Sequence, residues 1–531
     1  MRPGLRLPRL LTLWVVLALL ATTATSCSSD EGDGTTLDVL ASSELADMKP
    51  LLDDLRRDTG VTLRMDYRGT VDASNGLTPG RYHHDLAWLS SDRWFQLKLK
   101  GAGGRVELPL SQRTMFSPVV IGMKRSVADR LRRGTKDGQI SWADVADAAA
   151  AGSLRFAMAD PRRTNSGLAA LVGVATAAAG TGKALRLEDV SCDRLRGFFA
   201  GQALTEGSTT ALADTFVRRQ GELDALITYE SSLLSLNAGG RLGEPLEVVY
   251  PKDGMVLSDY PLLLLDPAKR AAYDKVVAWL RSDPAQKKIM ERTLRRPLDT
   301  SVPRDSRLRH PVGNALYFPD RQEVVDRLLA DYGGAGKAKP ARVIFLLDFS
   351  GSMKGGRMAE LRATFDGLGG ADDSRSGKFV RFYQGETLTV LRFGSRVLDQ
   401  RSVTYHGQRD LDVLRSFIAS GDVDGATAVW SALDTAYDKV AGMVREDPGR
   451  PVSILLMTDG ENNAGMGLDA FVRRYEARPA PVRAVRTFTV RYGEAGTAEL
   501  DRAARTTGGR MVDATTGSLL DAFKETRGCV H

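Results

Sequence analysis

Val343-Ile344-Phe345-Leu346-Leu347-Asp348-Phe349-Ser350-Gly351-Ser352 runs from five apolar residues straight into a carboxylate and two hydroxyls at alternate positions. An apolar run of that length, bounded by turn residues, predicts a strand buried on both faces. Its polar end predicts a loop at the strand's carboxyl edge, where donors two residues apart can turn to one side. Downstream, the apolar run 452–457 ends in Thr458-Asp459-Gly460, and Asp424-Gly425-Ala426-Thr427 precedes a helical stretch. Small hard cations take oxygen ligands in near-octahedral array, so Asp348, Ser350, Ser352, Thr427 and Asp459 form a candidate metal set of two carboxylates and three hydroxyls. Residues of these types also cap turns. Three such loops in order, each beside an apolar element, favour the metal reading.

Outward from 343–347, strands are expected at 387–393, 452–457, 485–490 and 509–512. Helices are expected at 410–418, 428–444, 468–477, 499–506 and 519–527. This alternation predicts an open, mostly parallel sheet covered on both faces. The five candidate ligands resemble the metal-ion-dependent adhesion site of von Willebrand factor A domains. Thr487-Phe488-Thr489-Val490, Gly493, Leu500-Asp501-Arg502-Ala503-Ala504 and Thr507-Gly508-Gly509 resemble the last strands and helix of the same family. The resemblance implies a doubly wound, Rossmann-like domain over 341–531 with Mg²⁺ as cofactor and Mn²⁺ or Ca²⁺ as competitors. It also implies a protein partner that offers an acidic side chain to the ion. Gly333-Gly334-Ala335-Gly336-Lys337-Ala338-Lys339-Pro340 reads as the linker ahead of it.

Upstream the chain alternates again. Strands are expected at 36–40, 61–67, 85–89, 115–123 and 154–159, and helical material at 44–58, 129–151, 168–179 and 319–332, an α/β pattern. Ala41-Ser42-Ser43-Glu44, Tyr67-Arg68-Gly69-Thr70, Ala159-Asp160-Pro161, Asn165-Ser166-Gly167, Ala225-Leu226-Ile227-Thr228-Tyr229-Glu230, Tyr250-Pro251-Lys252-Asp253-Gly254 and Asp259-Tyr260-Pro261-Leu262 follow in order. Together they resemble two-lobed, periplasmic-type solute-binding proteins across roughly 36–300, within a domain expected over 36–332. The resemblance implies chain crossings between lobes near 117–122 and 260–264, and ligand contacts from Ser42, Ser43, Gly69, Thr70, Asn165, Ser166 and Tyr229. Hydroxyl-rich loops and helix N-termini suit a small solute or an oxyanion. Ser43 and Ser166 serve equally well as helix caps.

Residues 1–26 read as a secretory leader, with Arg2, Arg6 and Arg9 ahead of the apolar run 10–21, which is too short to span a bilayer comfortably. Ala24-Thr25-Ser26-Cys27 resembles the bacterial lipobox, which implies lipidation of Cys27 and attachment to the extracytoplasmic face of the cell membrane, with 27–35 as a tether. Of the 3 cysteines, Cys192 and Cys529 remain, as one disulfide or two thiols. The formal charge of +7 falls to +4 once the three leader arginines are gone, and no basic block interleaves with aromatics, so nucleic acid is not an expected partner. No HExxH, phosphate loop or nucleophile elbow occurs, and no enzymatic activity is expected. The reading is an anchored binding protein that recognises a protein partner through a metal. The alternative is an importer-type solute receptor with an accessory A domain.

Overall fold

The computed structural model describes residues 35–101, 107–190, 194–308, 310–335 and 339–527. The leader, Cys27, Cys192, Cys529 and linker residues 336–338 lie outside them. The chain is mixed α/β in three sheets. It begins with β1 (Thr35–Ser42), β2 (Val61–Arg68), β3 (Leu86–Trp88) and β4 (Leu110–Arg113) in a first lobe. A second lobe holds β5 (Ser117–Met123), β6 (Phe156–Met158), β7 (Gln202–Leu204), β8 (Ala225–Tyr229), β9 (Glu247–Val249) and β10 (Leu257–Ser258). The chain then returns to the first lobe as β11 (Pro261–Leu264), inserted between β3 and β4 and antiparallel to both.

The crossings are therefore residues 114–116 and 259–260; the expected 117–122 is instead a strand of the second lobe, and of the expected 260–264 only Tyr260 lies in the crossing, 261–264 being a strand of the first lobe. Tyr260 takes a left-handed φ of 44° at the second crossing, a conformation that costs an aromatic residue energy. It is fully buried, and the Arg295 guanidinium lies 4.8 Å over its ring. The helical stretch expected at 44–58 divides into a 3₁₀ turn, Ser43–Met48, and a helix, Lys49–Thr59, that starts beside Pro50, because proline fits a first helical turn and not an interior. Residues 129–151 likewise give two helices, Arg125–Arg133 and Trp142–Ala150.

The helix Gln322–Ala335 runs three residues into the stretch expected to be linker. Its apolar side, Val324, Val325, Leu328 and Tyr332, shares one buried cluster with Trp94 and Leu97 of the first lobe and Leu171, Val190 and Phe199 of the second. One helix thus packs on both lobes.

The C-terminal domain is a single sheet in the order β14-β13-β12-β15-β16-β17: β12 (Arg342–Asp348), β13 (Thr387–Phe393), β14 (Val397–Thr404), β15 (Val452–Thr458), β16 (Arg486–Arg491) and β17 (Met511–Asp513). Only β14 runs antiparallel. Apolar clusters lie on both faces of the sheet, one around Phe345, Phe365 and Phe523, the other around Ile344, Trp430 and Phe471, as an uninterrupted apolar β12 requires.

This domain docks on the second lobe. Lys378 Nζ reaches Asp144 Oδ1 at 2.6 Å, and Arg381 Nη1 reaches Asp147 Oδ1 at 2.5 Å. Phe379 enters the lobe's apolar cluster, and Gln384 N donates to Ala150 O. The contacts gather at the amino end of β12 and β13, beside Ala341 and Glu386. Asp348 closes the opposite end of β12, about 20 Å away at strand rise.

Candidate metal centre and interlobe cleft

The buried run of β12 fixes Asp348 at its carboxyl end, and Ser350 and Ser352 follow in a turn. β15, directly beside β12, ends in Thr458 and delivers Asp459 from the next loop. Thr427 precedes the helix Val429–Glu446. Its loop is held by Asn463, whose Oδ1 accepts from Thr427 N at 2.8 Å, and by Asp424 N donating to Phe349 O. All five predicted residues come together. Ser350 Oγ and Ser352 Oγ are 3.0 Å apart, and Ser352 Oγ donates to Asp459 Oδ1 at 2.8 Å. A Cβ built on Gly460 would have Thr427 Oγ1 at 3.6 Å and Ser352 Oγ at 3.7 Å, so hydroxyls from two loops face one point. Thr427 Oγ1 makes no hydrogen bond among the described residues.

Asp348, Ser350, Thr427 and Asp459 are buried, whereas Ser352 is exposed at the mouth. Asp348 Oδ1 accepts from Ser350 N at 2.7 Å and Oδ2 from Thr458 Oγ1 at 2.5 Å. Burial pushes its carboxyl up to about 6, against those hydrogen bonds, and the nearby charge of Asp459 adds to the rise. Among the described residues no three His, Cys, Asp or Glu side chains gather as a metal site. The donor set here is instead two carboxylates and three hydroxyls, all hard oxygens, which fits Mg²⁺-type ions and not softer metals. Arg357, which the sequence did not single out, ion-pairs with Asp459 Oδ2.

The residues predicted to touch a solute also converge, but on one another. Thr70 hydrogen-bonds Ser42, and its Oγ1 lies 2.6 Å from Ser90 Oγ. Ser90 Oγ accepts from Tyr229 OH of the second lobe at 3.0 Å. Asn165 Nδ2 donates to Tyr229 OH at 3.1 Å and to Ser258 Oγ at 2.8 Å. Ser166 pairs with Thr209 inside the second lobe, and Ser43 turns to Glu44. Beside Gly69, the amides of Val71 and Asp72 open the helix Thr70–Gly76. A helix N-terminus of this kind favours an anion, but both amides donate to Arg163 O of the second lobe, at 3.1 and 3.2 Å. A Cβ on Gly69 would lie 2.3 Å from that oxygen. At these residues the lobes meet by direct contact. Ser90, Ser258 and Arg163 were not predicted; Leu89-Ser90-Ser91-Asp92, a polar turn after an apolar strand, was the available signal.

Residues 37–292 match the family described as bacterial extracellular solute-binding protein. Residues 343–525 match the von Willebrand factor type A domain. The chain thus carries an N-terminal solute-binding domain and a C-terminal A domain, both of kinds that typically bind or adhere. Similar solved structures include the periplasmic binding protein AfuA from Actinobacillus pleuropneumoniae with fructose-6-phosphate bound, at 14% identity, covering 58% of this chain and 99% of that one, with a TM-score of 0.42. Iron-bound HitA from Pseudomonas aeruginosa is similar at 17% identity, covering 57% and 99%, with a TM-score of 0.43. The substrate-binding protein of an ABC transporter from Agrobacterium tumefaciens is similar at 14%, covering 58% and 96%, with a TM-score of 0.44. No match was found among curated proteins. Among the described residues no helix is long and apolar enough to cross a membrane.

Proposed function

We propose that this chain is an extracytoplasmic binding protein, anchored to the cell membrane through lipidated Cys27, whose A domain recognises a protein partner through a divalent cation. The observation that carries the reading is the meeting of three loops at Gly460, where Ser352 and Thr427 hydroxyls and the Asp459 carboxylate approach one another beside Asp348 and Ser350. Asp348, Ser350, Ser352, Thr427 and Asp459 would hold the ion, Mg²⁺ by preference with Mn²⁺ or Ca²⁺ as competitors. When bound, such an ion supplies an electrophilic centre that a partner's Asp or Glu carboxylate can complete.

The residues themselves divide the work. Asp348 and Asp459 supply the negative charge, and exposed Ser352 marks the side from which a partner approaches. β12 and β15 are paired residue by residue from Arg342 and Val452, which keeps two of the three loops in fixed register. The carboxyl end of the sheet lies away from the surface that docks on the second lobe, so the site stays open in the two-domain chain. The two-lobed module serves in this reading as the rigid mount between anchor and A domain. A small solute or oxyanion would have to replace contacts that Ser42, Thr70, Asn165 and Tyr229 make with other groups.

Immobilised chain should retain a protein from extracytoplasmic extract in Mg²⁺, release it in EDTA, and retain none as the Asp459→Ala variant. Retention indifferent to both changes contradicts the reading. Radiolabelled palmitate should enter the wild type and not Cys27→Ser; labelling of both chains would remove the anchor.

A further inference from the structure

Asp459 spends both carboxylate oxygens inside the protein. Oδ1 accepts from Ser352 Oγ at 2.8 Å, and Oδ2 is ion-paired with Arg357 Nη1. The Asp459 side chain is 0% exposed, that of Arg357 33%. Arg357 stands in the first turn of the helix Gly356–Asp366 and makes no other ion pair among the described residues. Its further polar contact is Ser352 O at 3.5 Å. Gly493, at φ 60°, leaves room for the guanidinium, since a Cβ there would lie 3.0 Å from Arg357 Cζ.

We propose that Arg357 is a built-in counter-cation that competes with the divalent ion for Asp459 and sets the affinity of the site. The inference rests on reading the five oxygen-bearing residues as a metal site. A buried carboxylate left without a partner is strongly destabilising, so Arg357 holds the metal-free fold together. The same positive charge, held in contact with a ligand oxygen, repels a second cation a few ångströms away. Cation entry therefore requires Arg357 to leave Asp459. Its partial exposure and its place at the start of a helix give the side chain a way into solvent. A site tuned down in this manner is filled most readily when a partner's carboxylate adds negative charge, so cation and partner load together.

The test is a Mn²⁺ binding isotherm for the wild type, Arg357→Gln and Arg357→Lys, with melting temperatures in EDTA and in Mn²⁺. Arg357→Gln should bind Mn²⁺ about tenfold more tightly or better, melt below the wild type in EDTA, and gain more on adding Mn²⁺; Arg357→Lys should stay near the wild type. A folded Arg357→Gln that binds as the wild type does, or more weakly, overturns the competition while leaving the metal site standing. Binding by neither chain overturns both. Binding by Arg357→Gln alone supports the proposal in its strongest form, with Arg357 closing the site fully.

Discussion

Ser352 Oγ sits 2.8 Å from Asp459 Oδ1, although 107 residues separate them in the chain. That contact exists because β12 and β15 are parallel neighbours whose carboxyl ends deliver both loops to one edge of the sheet. It makes Ser352 the exposed member of the set and the simplest to remove without disturbing the core. Ser352→Ala is expected to weaken Mn²⁺ binding at least about tenfold, roughly 1.4 kcal/mol, with little change in melting temperature in EDTA. Ser352→Thr, which keeps the hydroxyl, should retain most of the affinity. Titration calorimetry separates the two.

Gly69 meets Arg163 O across the lobe boundary, and backbone cannot yield as a flexible side chain does. Gly69→Ala should therefore part the lobes at a cost of about 1–3 kcal/mol. Small-angle scattering should report a larger radius of gyration for the variant. An unchanged radius and melting temperature would mean that the two lobes are not latched at this point.

Glu44 is buried in the same region, and its Oε1 has no hydrogen-bond partner among the described residues. Burial raises its pKa above the ordinary 4.5, although the Arg295 charge pulls the other way. A raised acid takes up its proton more readily folded than unfolded. Its contribution is most favourable below the ordinary value and is lost as pH climbs through the raised one. Glu44→Gln should match the wild type near pH 4 and melt higher near pH 8, by about 2–4 °C for roughly 1 kcal/mol. Parallel melting curves at all pH values would show that Glu44 is not held in this way.

Lys378 and Asp144 form an enclosed ion pair between the modules, with side chains 15% and 8% exposed. Hydrogen bonds from Lys378 and Ser141 outweigh burial and hold Asp144 below its ordinary range. Removing one partner of a buried pair leaves a charge uncompensated, so Lys378→Met should cost about 3 kcal/mol. Lys378→Met with Asp144→Asn, which removes the charge and keeps an oxygen for the Ser141 amide, should recover much of that loss. Differential scanning calorimetry should show the single variant's two modules melting apart, whereas one unchanged transition would mean the contact does not join them.

Much of this was legible in the chain. β12, β13 and β15 announce themselves as apolar runs because both faces of a parallel sheet are covered, and four of the five candidate residues, Asp348, Ser350, Ser352 and Asp459, follow the end of such a run, whereas Thr427 precedes a helix. β14 gave no comparable sign. Val397-Leu398-Asp399-Gln400-Arg401-Ser402-Val403-Thr404 is an edge strand turned largely to solvent, so neither an apolar run nor a clean alternation marks it. Arg357 escaped notice for a different reason. Its partner Asp459 is 102 residues on, and a single arginine in a helix reads as an ordinary surface charge until the sheet brings the two together. In the cleft, sequence identified hydroxyl donors such as Ser42, Thr70 and Tyr229, but whether they face a ligand or one another depends on lobe closure, which local pattern does not encode.

In the proposed function, the loops after β12 and β15 and the loop before Val429 build one cation site. Its most direct test is a calorimetric titration of the purified chain with Mg²⁺ and Mn²⁺, run beside Asp348→Ala, with melting temperatures recorded at each concentration. Saturable binding and a rise in melting temperature in the wild type, both abolished in a folded Asp348→Ala, are the predicted result. Identical behaviour of the two chains would mean that these loops hold no cation.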